Sequence, residues 1–157
     1  MPCEDTMESG YEMLKLENQV CFPLYVCSKE IIRKYRPFLD PLGITYTQYI
    51  TMMALWEKGE MTVKDLGSEL HLDSGTLTPL LRKLEEKGFV DRIRDPNDER
   101  SVIVKITDEG LALRDKVKHV PEDIGSCIEL SPEEGLALFT LLNKLMSTFD
   151  KDCEDQD

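Results

Sequence analysis

Apolar residues recur at helical spacing over most of the chain, and the helix starts are marked in the sequence. Thr45-Tyr46-Thr47-Gln48, Thr62-Val63-Lys64-Asp65 and Ser131-Pro132-Glu133-Glu134 each place a hydroxyl at an N-cap and an acidic or amide residue three positions on. That is the capping-box arrangement, with Asp65 a weaker variant and Pro132 suited to a first helical position. Gly59 and Gly88 are natural stops. The pattern predicts a long first helix from about Leu14 to Leu39, then helices over 46–58, 62–70, 73–87, 108–119 and 132–150.

The period changes once. Phe89–Arg94 and Ser101–Ile106 are short, β-branched and partly alternating, and the stretch from Asp95 to Arg100 between them is turn chemistry. A β-hairpin is expected there. The order helix, turn, helix, hairpin predicts a mainly α fold with a small β-hairpin, a winged helix-turn-helix over residues 45–107 within one domain spanning 1–157. Pro121 to Leu130 is the one break, separating the last two helices.

Composition narrows the class. At 157 residues, 41% hydrophobic and 32% charged, the chain suits one folded domain and excludes a large multidomain enzyme. Met1 to Glu12 is acidic where a signal peptide needs a basic start, and no apolar run approaches a membrane span. A cytoplasmic protein without membrane contact is expected. Cys3, Cys21, Cys27, Cys127 and Cys153 form no CxxC, and His71 and His119 are isolated, so no metal or other cofactor is expected.

A net charge of −12 argues against nucleic acid until its distribution is considered. Between Thr62 and Ile106 the balance is about −1, leaving about −11 for the rest. One near-neutral segment in an acidic chain fits an acidic scaffold with a single nucleic-acid face.

Within that segment Leu77, Leu80, Leu81 and Leu84 repeat at helical spacing and predict a buried stripe. The opposite face collects Gly75, Thr76, Thr78, Pro79, Arg82 and Lys83, and Ser74 joins them as a candidate DNA contact. Small hydroxyls, a glycine permitting close backbone approach and two cations suit a helix in a major groove; an ordinary surface helix would show Glu and Lys. Pro79 breaks a local rule where function is suspected. The hairpin adds Arg92, Arg94 and Arg100, with Asp98 placed to orient Arg100 through a short ion pair. Arginines on such a wing suit an adjacent minor groove.

These residues resemble a known family. Asp98-Glu99-Arg100-Ser101-Val102-Ile103-Val104-Lys105-Ile106-Thr107 is similar to the wing signature of MarR-type transcriptional regulators, and Leu72–Leu81 to their recognition helix. Leu16–Phe22 and Ile44-Thr45-Tyr46 bring the resemblance closest to the organic hydroperoxide resistance regulators. It spans about Leu14 to Phe149. The resemblance implies a homodimer built by helices within 11–44 and 108–150, paired recognition helices on a palindromic double-stranded operator, and repression relieved when a cysteine is oxidised by an organic hydroperoxide inducer. It implies no enzymatic activity.

Pro23 is comfortable in a first helical turn, so the continuous helix begins or bends near Cys21, close to unsatisfied backbone N–H groups that favour thiol reactivity. The family carries an aliphatic residue or alanine where Pro23 stands. By resemblance Cys21 is the sensing thiol and Tyr35 and Tyr46 its phenolic partners, with Tyr25 nearby. Tyr35 lies fourteen residues from Cys21, about 21 Å along a straight helix at ~1.5 Å per residue, so it would reach the thiol of a second copy. Cys127 falls roughly where two-cysteine members keep a resolving thiol, leaving one- and two-cysteine mechanisms open. Cys27 is on another helix face and cannot bridge Cys21 without unwinding. Cys3 and Cys153 read as incidental tail residues, His71 as structural or a phosphate contact, and Trp56, Met52 and Met53 as core.

Alternative functions remain at this level. A MarR-type repressor released by a small aromatic ligand would leave Cys21 a bystander. A thiol peroxidase lacks an Arg or Thr constellation around Cys21. A protein-interaction module using the winged helix without DNA would suit the acidic charge.

Overall fold

The computed structural model describes residues 10–152, with side chains to Asp150; Cys3 and Cys153 lie outside them. The chain divides into two compact units, Met1–Val120 and Pro121–Asp157.

The first unit does not open with the expected long helix. Two 3-10 turns, Glu12–Leu14 and Leu16–Asn18, precede α1, which runs Cys21–Leu39. Side chains explain the delay: Asn18 Nδ2 donates to the Glu12 carbonyl at 2.8 Å and Gln19 Nε2 to that of Met13, so both compete for carbonyls a helix would use. Pro23, third in α1, lacks an N–H only where the first turn leaves that group unused. Pro37 and the 3-10 turn Asp40–Leu42 end the helix, and Gly43, at φ 67°, turns the chain.

Helix α2, Tyr46–Lys58, has the expected capping box: Gln48 N–H donates to Thr45 Oγ1 at 3.3 Å and Thr45 N–H to Gln48 Oε1 at 3.0 Å. A short strand the periodicity does not reveal, β1 (Glu60–Thr62), comes next. Helices α3 (Val63–Leu70) and α4 (Ser74–Glu86) are capped by Thr62 Oγ1 accepting from Asp65 N–H (3.0 Å) and Asp73 Oδ1 accepting from Thr76 N–H (2.8 Å). The hairpin is longer than expected: β2 spans Val90–Asp95 and β3 spans Asp98–Ile106. All pairing is antiparallel in the order β1-β3-β2, with Met61 opposite Val104 and Arg92 opposite Val104 on its other side.

Helix α5 (Asp108–Val117) starts at a Thr107 whose Oγ1 both accepts from Gly110 N–H at 3.0 Å and donates to the Gly88 carbonyl at 2.5 Å. The core gathers Met52 and Leu55 of α2, Leu66 of α3, the four leucines of α4, and Val90 and Val104 of the sheet. Met53, expected in the core, is exposed because it lies about 100° around α2 from the buried Met52, off the core-facing stripe. Trp56 is half-buried, its indole N–H donating to the Gly110 carbonyl at 2.8 Å.

The second unit contains most of the short helix α6 (Val120–Ser126), within the expected break, and α7 (Pro132–Asp152), whose start has both halves of the capping box between Ser131 and Glu134. Among the described residues no helix is long and apolar enough to cross a membrane, and no His/Cys/Asp/Glu cluster could hold a metal ion.

Candidate nucleic-acid interface and thiol site

The helix-turn-helix is held close by small groups. His71 caps α3 in the left-handed region (φ 52°), and Leu72 N–H reaches the Gly67 carbonyl at 2.9 Å. A Cβ on Gly67 would lie 2.9 Å from the Leu72 carbonyl oxygen and 3.6 Å from Leu77 Cδ2, so glycine permits this approach of α4 to α3. Helix α4 is then divided as its spacing requires. Leu77, Leu80, Leu81 and Leu84 are buried, while Ser74, Gly75, Thr76, Thr78, Pro79, Arg82 and Lys83 are all exposed. Pro79 lies inside a helix that continues to Glu86.

The wing turns tightly at Asp95-Pro96-Asn97-Asp98. Asp95 Oδ1 accepts from Asn97 N–H at 2.8 Å, and Asp98 Oδ1 accepts from Arg100 N–H at 3.0 Å. Asp98 thus holds the backbone of Arg100; the expected ion pair with its guanidinium is replaced by a turn cap, the shorter reach for an Asp two residues upstream. Arg94 and Arg100 are exposed. Arg92 differs from both: it is half-buried and gives Nε and Nη2 to Glu85 Oε2 at 2.9 and 2.6 Å. Glu85 was not singled out by sequence reasoning, since an acidic residue late in a helix carries no signal of a strand partner. Arg92 is the first bond to Glu85 in lowering that carboxyl's pKa, opposed by slight burial and helped by Arg82.

The thiol residues lie elsewhere. Cys21, the first residue of α1, is exposed, as are Cys27 and, in the second unit, Cys127. Tyr25 is also exposed, with Lys29 Nζ 5.3 Å from its ring centre. At the other end of α1, Tyr35 meets Tyr46 of α2 with ring centroids 4.9 Å apart, and Tyr49 completes the group at 5.7 Å from Tyr35 and 6.3 Å from Tyr46. Tyr49 was missed by sequence reasoning, although its spacing of three from Tyr46 puts both on one side of α2.

The end of α1, the connecting turn and the start of α2 line a half-open cavity of about 280 Å³, bounded by Ile32, Tyr35, Arg36, Leu39, Asp40, Ile44, Thr45, Tyr46 and Thr47. Burial raises the pKa of Tyr35, Tyr46 and Tyr49; neighbouring phenols add to the rise for Tyr35 and Tyr49. All three therefore stay protonated near neutral pH, and their O–H groups are donors. Within one chain the structure brings Tyr35 and Tyr46 together but leaves Cys21 and Tyr25 at the far end of a helix of 19 residues.

Each unit leaves apolar surface open. In the first, Tyr11, Met13, Leu14, Leu16, Val20 and Phe22 are exposed; in the second, α7 exposes Leu136, Leu138, Phe139, Leu141, Leu142, Leu145, Met146 and Phe149. Large apolar side chains left exposed in such number are the raw material of interaction surfaces in folded proteins.

The profile of the MarR family matches residues 44–102. The organic hydroperoxide resistance transcriptional regulator of Bacillus subtilis (strain 168) is 44% identical over 146 residues, covering 88% of this chain and 97% of that protein. The HTH-type transcriptional regulator SarZ of Staphylococcus haemolyticus (strain JCSC1435) is 39% identical over 132 residues, covering 84% and 90%. The structure of reduced AbfR bound to DNA, a protein of Staphylococcus epidermidis, superposes with a TM-score of 0.76 at 34% identity, covering 89% of this chain and 96% of that one.

Proposed function

The chain belongs to the MarR family of DNA-binding transcriptional regulators, and from that premise we propose that it is a dimeric repressor that releases its operator when Cys21 is oxidised by an organic hydroperoxide. The observation that carries this reading is the Tyr35–Tyr46 pair, two neutral phenols lining a cavity with no cysteine among its lining residues. An exposed cysteine sits about 21 Å away along the same helix, at ~1.5 Å per residue. Cys21 of the partner subunit supplies the missing sulfur, which makes the sensor and the dimer interface one object. The open apolar residues of α7 and of the segment before α1 are the surface such a dimer covers. The name of the Bacillus relative and the reduced state of the AbfR structure support a redox input.

The chemistry follows from the residues. Cys21 sulfur, as thiolate, attacks one peroxide oxygen; the O–O bond breaks, an alcohol leaves after taking up a proton, and Cys21 becomes a sulfenic acid. Phenol O–H groups from Tyr35 and Tyr46 donate to the sulfur and to the new oxygen. Where Cys127 resolves the intermediate, its thiol attacks the sulfenic sulfur, an S–S bond forms and water leaves. Either product enlarges a packed interface and moves the two DNA-reading helices relative to each other. The palindromic operator is read by the exposed face of α4, Ser74, Gly75, Thr76, Thr78, Pro79, Arg82 and Lys83, in the major groove and by Arg94 and Arg100 of the wing.

The test is binding to a fluorescent duplex taken from upstream of the protein's own gene, first with dithiol and then with cumene hydroperoxide. Wild type should release the duplex and Cys21→Ser should hold it. Release from both proteins would remove Cys21 from the mechanism, and sustained turnover of peroxide with dithiol would make the protein an enzyme. The apolar and aromatic lining of the same cavity favours a second reading, a repressor released by a small aromatic ligand; it predicts release of Cys21→Ser by the ligand without any oxidant.

A further inference from the structure

We propose that Glu85 and Arg92 form a positioning pair that fixes the wing against the recognition helix, and that Arg92 acts on DNA through Glu85 without touching the duplex. The inference rests on DNA binding, which the family establishes, and is independent of how the protein is induced.

Sheet order makes β2 an edge strand, and an edge strand carries backbone N–H groups with no partner in the sheet. At Arg92 that group points away from the sheet and donates to Glu85 Oε1 at 3.3 Å. Glu85 Oε2 receives Nε at 2.9 Å and Nη2 at 2.6 Å. Both oxygens of one carboxylate in the last turn of α4 are therefore committed to one residue of β2, by its backbone and by its guanidinium fork. Such a two-oxygen grip defines direction as well as distance, which a lysine could not reproduce.

The pair stands between the two groups of exposed cations. Arg82 precedes Glu85 by three residues, one helical turn toward the exposed face, and its charge also acts on the carboxyl. Arg94 follows Arg92 by two, on the same face of the strand, and is exposed. Between α4 and β2 the backbone link is only Lys87 to Phe89, with Gly88 at φ 75°. Without the Glu85 grip, the angle at which Arg94 and Arg100 reach DNA would be left to that short turn. Arg92 lost alone would also leave a carboxylate uncompensated one helical turn from Arg82.

The experiment uses the full-length reduced protein and a duplex enriched by it from a random-sequence library. Affinity is measured over a range of salt concentrations for wild type, Glu85→Gln, Arg92→Gln, the double variant and Arg92→Lys. Positioning predicts that Glu85→Gln and Arg92→Gln each weaken binding by roughly three- to tenfold, that the double variant is no weaker than either, and that the slope of log affinity on log salt stays at the wild-type value. Arg92→Lys keeps the charge but loses the fork, so it should bind as weakly as Arg92→Gln. A direct phosphate contact predicts the reverse: Arg92→Gln lowers the slope by about one, Arg92→Lys binds nearly as wild type, and Glu85→Gln is neutral or tighter. That result, additive losses, or unchanged affinity in both single variants would overturn the proposal. Arg92→Lys, the mildest change, decides the matter should Glu85→Gln prove too unstable to assay.

Discussion

Tyr35 and Tyr46 sit on different helices, yet their rings meet at 4.9 Å between centroids, at the corner where the 3-10 turn and Gly43 fold α2 back beside α1. The contact is local to one chain, but the sulfur it serves in the proposed mechanism belongs to another. In that mechanism the sensing site is built twice and completed only by assembly.

Removing either hydroxyl should slow sensing without touching DNA recognition. Tyr35→Phe and Tyr46→Phe are each expected to lower the rate of hydroperoxide-driven operator release by about five- to tenfold, the value of one hydrogen bond of ~1 to 1.4 kcal/mol. Stopped-flow release at several peroxide concentrations measures this. Unchanged rates in both variants would take the phenols out of the chemistry.

The wing and the recognition helix should divide their roles in a salt titration. Arg100→Ala and Arg82→Ala each remove an exposed cation, and each should reduce the slope of log affinity on log salt by about one. Gly75→Ala, beside the Asp73 cap, should leave that slope unaltered while weakening binding through lost close approach.

Alkaline pH should loosen the corner. Folding raises the pKa of Tyr35, Tyr46 and Tyr49 above the ordinary 10.0, chiefly by burial. The stability these phenols contribute is complete below pH 10 and is lost as pH rises through their folded values. Thermal midpoints measured from pH 8 upward should fall above about pH 10, and the triple Phe variant should fall less steeply. Parallel curves would argue against the buried phenols.

Gly110 is the least replaceable glycine among those described. A Cβ there would lie 2.1 Å from the Phe89 carbonyl oxygen, and Gly110's own carbonyl accepts the Trp56 N–H. Gly110→Ala should destabilise the fold by about 2 to 4 kcal/mol, with a shift in Trp56 emission. Gly125→Ala, with nothing within 4 Å, should change stability by less than about 1 kcal/mol. Denaturant titration followed through tryptophan fluorescence compares them.

Charge on the open face of α7 should prevent assembly. Phe139 and Leu142 are exposed in the single chain. Phe139→Glu combined with Leu142→Glu is expected to yield monomers in sedimentation velocity and a large loss of operator affinity. A stable dimer carrying both substitutions would require a different interface.

Several features were legible before any coordinates. The capping boxes at Thr45 and Ser131, the buried leucine stripe of α4 opposite its small polar face, and the hairpin after Gly88 all depend on neighbours within a few residues, where periodicity and backbone hydrogen-bonding are sufficient. The resemblance carried by the wing and recognition-helix residues was likewise local in its motifs. Legibility failed where the partner is distant or the competition subtle. The first helix starts seven residues late because Asn18 and Gln19 spend their amides on backbone carbonyls, and β1 exists because β3 offers it an edge.

Tertiary structure alone decided the rest. Nothing in the spacing of Glu85 and Arg92 says that an acid at the end of a helix grips a strand, separating Arg92 from the exposed cations Arg94 and Arg100. Nor does it say that Tyr49 joins Tyr35 and Tyr46, that the Asp98 carboxylate holds a backbone N–H, or that Trp56 reaches Gly110. Local sequence determines which residues form an element and which face is apolar, because those choices are made against water and the chain's own backbone. Which side chain meets which depends on how elements pack, and packing is settled by shape and charge over distances in sequence that no period records.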